Sequence, residues 1–134
     1  MDLVKIDGVV FDVAVTEIEE NFNILYSENT GRTIAPGARM SLDPLGTFYG
    51  HKITLSRKNG SEEDFDRLFD FVSRPRSDGV LVEIVHNQTT IAYDAYISNG
   101  SRTVDRVNKT SGAVFWGALS LNIVPMEAQV LPDE

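Results

Sequence analysis

Apolar and polar residues alternate along most of this chain, and only one stretch changes period. In Ser61–Ser73, S-E-E-D-F-D-R-L-F-D-F-V-S, the apolar residues Phe65, Leu68, Phe69 and Val72 fall at i, i+3, i+4 and i+7. That spacing draws a single stripe down a helix. Ser61 stands at the N-cap position, and Asp64 follows three residues later, where a capping box places its acid. Glu62, Glu63 and Asp64 crowd the first turn with negative charge. Arg74 adds positive charge at the far end, and Pro75 forbids continuation. A helix over about 61–73 is predicted, and its stripe needs a sheet to pack on.

The sequence on both sides of the helix supplies that sheet. Leu3–Ile6 and Val9–Val15 flank Asp7-Gly8, a two-residue hairpin signal, and Val9, Phe11, Val13 and Val15 form one apolar face. In Glu17–Tyr26 the face is Ile18, Phe22, Ile24 and Tyr26, with Glu17, Glu19, Asn21 and Asn23 opposite. Phe48–Arg57 returns as a strand carrying Tyr49, His51, Ile53 and Leu55, and Lys58-Asn59-Gly60 turns it into the helix. Val80–His86, Thr90–Ile97, Arg102–Val107 and Ala113–Val124 read as further strands. Their turns are expected at Asn87–Thr89, Ser98–Ser101 and Asn108–Gly112.

Between Ser27 and Thr47 the alternation dissolves. Pro36-Gly37 and Asp43-Pro44 are breakers, yet Ile34, Met40, Leu42 and Leu45 make the stretch more apolar than a solvated loop needs. Most connections in compact domains run to about 4–6 residues. A connection this long and apolar is expected to pack on something, either its own domain or a neighbour. The order of strands, one helix, then strands predicts a mainly β single domain over 1–134. The expected architecture is a β-sandwich or partly closed barrel with one flanking helix. A short acidic tail follows at 126–134.

Composition narrows the classes. The chain has 134 residues, 42% of them hydrophobic, and no cysteine, which excludes disulfides and thiolate metal sites. No run of about 18 apolar residues is present to span a membrane. The charged start, M-D-L-V-K-I-D-G, does not resemble a signal peptide. A net charge of −8 argues against a phosphate-binding surface.

Motifs for catalysis are lacking. There is no G-x-S-x-G, P-loop or G-x-G-x-x-G, and the helix acids lack the order of a calcium loop. His51 and His86 have no partner at metal-ligand spacing, and His51 reads as a half-buried histidine with its hydrogen bonds satisfied. Trp116 lies on the face opposite Phe115 and reads as core or interface, not as a sugar platform. No catalytic residue, cofactor or metal site is expected.

The segment Glu28–Thr47, E-N-T-G-R-T-I-A-P-G-A-R-M-S-L-D-P-L-G-T, follows the hairpin Ile6-Asp7-Gly8-Val9 and precedes the acidic helix. In that order the pattern resembles small tail-region proteins of siphophages and prophages. It departs from them at Ala35-Pro36-Gly37, where a tighter Asp-Gly turn is expected. The resemblance implies a tail-tube-like fold and a non-enzymatic subunit of a phage tail or baseplate. Such a subunit forms a ring with copies of itself, often a hexamer, beside neighbouring tail proteins in the virion, and DNA passes through without specific binding. On this reading Arg32, Ile34, Met40, Leu42 and Leu45 are candidates for the subunit interface. Asp12, Glu17 and Glu19 are candidates for the channel wall. A stand-alone β-sandwich module binding carbohydrate or protein is the alternative.

Overall fold

The computed structural model describes residues 4–28, 30–32 and 36–132. In chain order its elements are β1 (Val4–Ile6), β2 (Val13–Tyr26), β3 (Gly31–Arg32), β4 (Met40–Ser41) and β5 (Pro44–Arg57). The helix α1 (Glu62–Val72) follows, then β6 (Val80–His86), β7 (Thr89–Val107) and β8 (Val114–Pro125). The fold is mainly β with one flanking helix, as the periodicity predicts. Six strands form one sheet in the order β1-β6-β7-β8-β5-β2, and β3 and β4 form a separate two-stranded ribbon. Every pairing is antiparallel.

Chain connectivity shows that the sheet is rolled. β1 and β2 are its two edges, separated by five strand spacings, or about 24 Å if the sheet were flat. They are joined by Asp7–Asp12, of which Asp7-Gly8 is spent in a tight turn closed by hydrogen bonds between Ile6 and Val9. The remaining Val9–Asp12 reaches only about 14 Å fully extended. The edges must therefore approach each other. A second contact agrees: the Glu20 carboxylate on β2 meets His86 Nδ1 on β6 at 2.6 Å, although three strands lie between them in the sheet. This is the partly closed barrel form of the expected architecture.

Inside the roll lie Ile6, Ile53, Leu55, Val82, Ile84, Ala95, Leu119, Leu121 and Ile123, capped by Phe65, Leu68 and Val72 of α1. Each of these helix side chains stabilises the fold by roughly 1.5–3 kcal/mol through burial. Phe69 is only partly buried, and the guanidinium of Arg102 covers its ring at 3.8 Å. The helix ends differ from expectation. Ser61 is the N-cap residue but makes no side-chain cap; its hydroxyl bonds the Asp12 carboxylate instead. Asp64 accepts from the Asp12 backbone N–H at 3.1 Å and pairs with Arg67, so no capping box forms. The N-terminus is thereby tied to the β1–β2 connection. At the other end Arg74 lies past the helix, and Arg76 donates to the Phe71 carbonyl at 2.7 Å.

Three strand assignments also change. The Asp7-Gly8 turn is present, with both φ positive (55° and 75°), but its second arm leaves β1 after a single bridge and pairs with β5 from Val13 onward. Val13–Tyr26 is one strand, kinked by a bulge between Val15 and Glu17. Ser98–Ser101 is not a turn: β7 runs straight through it for 19 residues. The expected loop over 27–47 shortens, because β5 begins at Pro44 and the small ribbon occupies its middle. Its Ile34 lies outside the described residues.

Candidate functional site

Seven exposed large apolar residues fall on an arm formed by β2, β5 and the segment between them. β5 pairs with β8 only from His51 to Leu55, whereas β2 and β5 continue together from Asn21↔Gly50 to Tyr26↔Pro44. That extension continues past the β8 pairing, and on one face its Asn21, Asn23 and Leu25 border a recess shared with Tyr96 of β7 and Asn122 and Val124 of β8. Its apex is held by Ser27 N–H donating to the Asp43 carbonyl at 2.9 Å and by Asp43 N–H donating to Thr30 Oγ1 at 2.8 Å. Phe22 is 69% exposed, and Ile24, Leu25, Tyr26, Met40, Leu42 and Leu45 are all exposed too. The run Asn21–Tyr26 carries no charge and no proline. It forms part of an edge strand, the kind of surface that proteins ordinarily blunt with charge unless it has a partner.

A buried polar chain anchors the root of this arm. His51 on β5 is 1% exposed. Its Nε2 lies 3.0 Å from Glu20 Oε2 and its Nδ1 lies 2.7 Å from the Tyr93 hydroxyl. A carboxylate only accepts, so Nε2 carries the proton and Nδ1 accepts from the tyrosine O–H. His86 donates from Nδ1 to the same carboxylate oxygen, and its ring packs on Tyr49 at 4.8 Å. One glutamate thus joins β2, β5 and β6, and the histidine adds β7. Burial holds His51 below its ordinary pKa against the opposing pull of Glu20. Burial also works against ionisation of Glu20, but hydrogen bonds from His86 and His51 outweigh it and keep the carboxyl low. Tyr93 is pushed up by burial and by the Glu20 charge. The arrangement is a neutral histidine, itself closed to solvent, clamped between a carboxylate that reaches solvent and a buried phenol.

A strap reinforces the root from the other side. After Pro125 the chain turns along β5, where Gln129 receives the Tyr49 N–H at 3.0 Å and donates to the Tyr49 carbonyl at 3.1 Å. Thr47 N–H donates to the Val130 carbonyl at 2.8 Å. The predicted acidic tail therefore takes the place beside β5 that β8 leaves empty. At the opposite end of the body, Arg102 stacks on Phe69 and, at 4.0 Å, on Trp116, while pairing with Asp66 at 2.9 Å. Trp116 is thus packed against the core.

Of the interface candidates, Arg32, Met40, Leu42 and Leu45 all sit on the arm or its apex, and Arg32 donates to the Ala38 carbonyl at 3.4 Å. Asp12 lies far from them at the helix start, bonded to Ser61 and, at 3.0 Å, to Lys58. Burial and the Lys58 charge are secondary there: the Ser61 and Lys58 hydrogen bonds set its lowered pKa. Glu17 and Glu19 are exposed on β2. Sequence reasoning missed Glu20. Its signal was parity, since Glu20 falls on the same side as Ile18 and Phe22. Among the described residues no group of His, Asp or Glu could hold a metal ion. No helix there is long and apolar enough to cross a membrane. Comparison with protein-family models finds no matching family, and comparison with curated proteins finds no match.

Proposed function

We propose that this protein is a non-enzymatic structural subunit of a phage tail or baseplate that assembles with copies of itself into a ring around the DNA channel. The observation that carries the reading is the projecting arm, with its uncharged run Asn21–Tyr26 and seven exposed large apolar side chains. At roughly 150–250 Å² for an exposed aromatic and less for an aliphatic side chain, half-exposure of seven leaves on the order of 600 Å² to cover. A standard interface takes about 800 Å² from each partner. The anchored root supports the same reading, because a rigid arm presents its face without an ordering cost. The net charge of −8 suits a wall that lets DNA slide past, since an attractive wall would retain phosphates. Glu17 and Glu19, exposed on β2, remain the candidates for that wall.

The test is the mass of the purified protein by light scattering across a concentration series, with micrographs of the assembled species. Closed rings and no salt-sensitive DNA binding are the expected result. A chain that stays monomeric at every concentration, or one that binds DNA tightly at low salt, overturns the proposal.

A further inference from the structure

We infer that the arm of one copy seats in an apolar slot at the opposite end of the next copy, so that copies join head to tail. The inference rests on the self-assembly reading above and names the surface that receives the arm. Where the rolled sheet fails to close, a cavity of about 520 Å³ lies between its two edges. Val4 and Ile6 of β1 line one wall and Val13 and Val15 of β2 the other, above the buried Leu55 and Leu68. No described strand pairs with the outer edge of either wall, so backbone donors and acceptors border the slot as well.

Charge permits a second copy as the occupant. In a chain of net charge −8, contact between copies is opposed least where neither surface adds negative charge. Among the residues lining the slot only Asp12 and Lys58 are charged, and they neutralise each other at 3.0 Å. The arm run Asn21–Tyr26 is neutral also. These two surfaces are apolar, uncharged and complementary in kind, one projecting and one recessed.

Geometry excludes closure within one copy. The slot lies by Val13 at one end of β2 and the arm ends by Tyr26 at the other, about 43 Å apart along a 14-residue strand. A projection on one end and a recess on the other make a heterologous contact, which closes into a ring when the rotation between copies permits.

Two exposed-site variants test this. The arm variant is Phe22→Glu with Leu25→Glu; the slot variant is Val9→Glu with Val10→Glu, at rim positions that are 47% and 49% exposed. Should the slot pair fail to fold by circular dichroism, Val10→Arg alone replaces it. Each variant by itself is expected to be monomeric, with self-association weakened at least tenfold. Mixed one to one, they should form a heterodimer and stop, because the arm variant still offers its slot and the slot variant still offers its arm. If the mixture remains two monomers, or if the slot variant assembles as the wild type does, the inference is overturned. Wild-type rings beside assembling slot variants remove only the slot. A wild type that never assembles removes the proposed function with it.

Discussion

Removing the hydrogen bond between His51 and Tyr93 isolates the energetics of the arm root. Tyr93→Phe strands the buried His51 Nδ1 without a donor, which should cost about 1–3 kcal/mol. His51→Phe strands the buried Tyr93 hydroxyl and also removes the bond to the Glu20 carboxylate, for about 2–4 kcal/mol. The double variant leaves neither ring nitrogen nor hydroxyl to be stranded, so its loss should fall short of the sum by about 1–2 kcal/mol. Urea unfolding at pH 7.5 measures all four corners of the cycle. Additivity within about 0.5 kcal/mol would mean that the two groups do not interact, and would refute the network.

The pH dependence gives the same cycle a second reading. Glu20 from β2, His86 from β6 and Tyr93 from β7 face His51, and burial holds its native pKa below the ordinary 6.5. Above pH 6.5 both folded and unfolded forms keep the ring neutral, and its full contribution is present. As pH falls below 6.5 the unfolded imidazole takes a proton that the native one refuses, so stability drops by up to about 1.4 kcal/mol per pH unit. Glu20 is also depressed, from 4.5, so its contribution is lost only as pH falls below that value. Wild type and Tyr93→Phe should therefore lose stability between pH 6.5 and 5 more steeply than His51→Phe. Equal slopes in all three would contradict the assignment of His51 as the neutral partner.

Phe65→Ala, at a site 1% exposed beneath α1, should cost about 3–5 kcal/mol in urea unfolding, and a loss below half a kcal/mol would remove the helix from the core. Arg102→Lys should cost about 1–2 kcal/mol by thermal unfolding, because an ammonium cannot both stack between Phe69 and Trp116 and reach Asp66. Asp66→Asn, which keeps the stack, should cost less than half as much. Gln129→Ala should raise amide hydrogen exchange at Tyr49 at least tenfold while leaving Ile53 unchanged. Equal protection at both would show that the strap does not hold the arm root.

Local order was legible in the sequence. The stripe Phe65, Leu68, Phe69 and Val72 located α1, because helical periodicity is a property of neighbours three and four residues apart. The turns at Asp7-Gly8, Asn87 and Asn108–Gly112 were equally readable, since each depends on a residue that tolerates positive φ or bonds its own backbone. The apolar alternation of β5, β6 and β8 gave the core residues for the same reason.

Long-range pairing decided the rest. The root cluster unites residues 31, 42 and 66 positions apart, a juxtaposition that no local spacing encodes. The register shift between Val15 and Glu17 carries the inner face from Val13 and Val15 over to Ile18 and Glu20, and it belongs to the pairing with β5. Ser98-Asn99-Gly100-Ser101 has the composition of a turn, but β8 recruits it: Asn99 opposes Asn122, whose amide donates to it at 2.7 Å, and Gly100 opposes Leu121. A Cβ at Gly100 would meet Leu121 Cδ2 at 2.7 Å. That glycine is there to let two strands approach, and its partner lies some twenty residues away in the chain, where turn propensity has nothing to say.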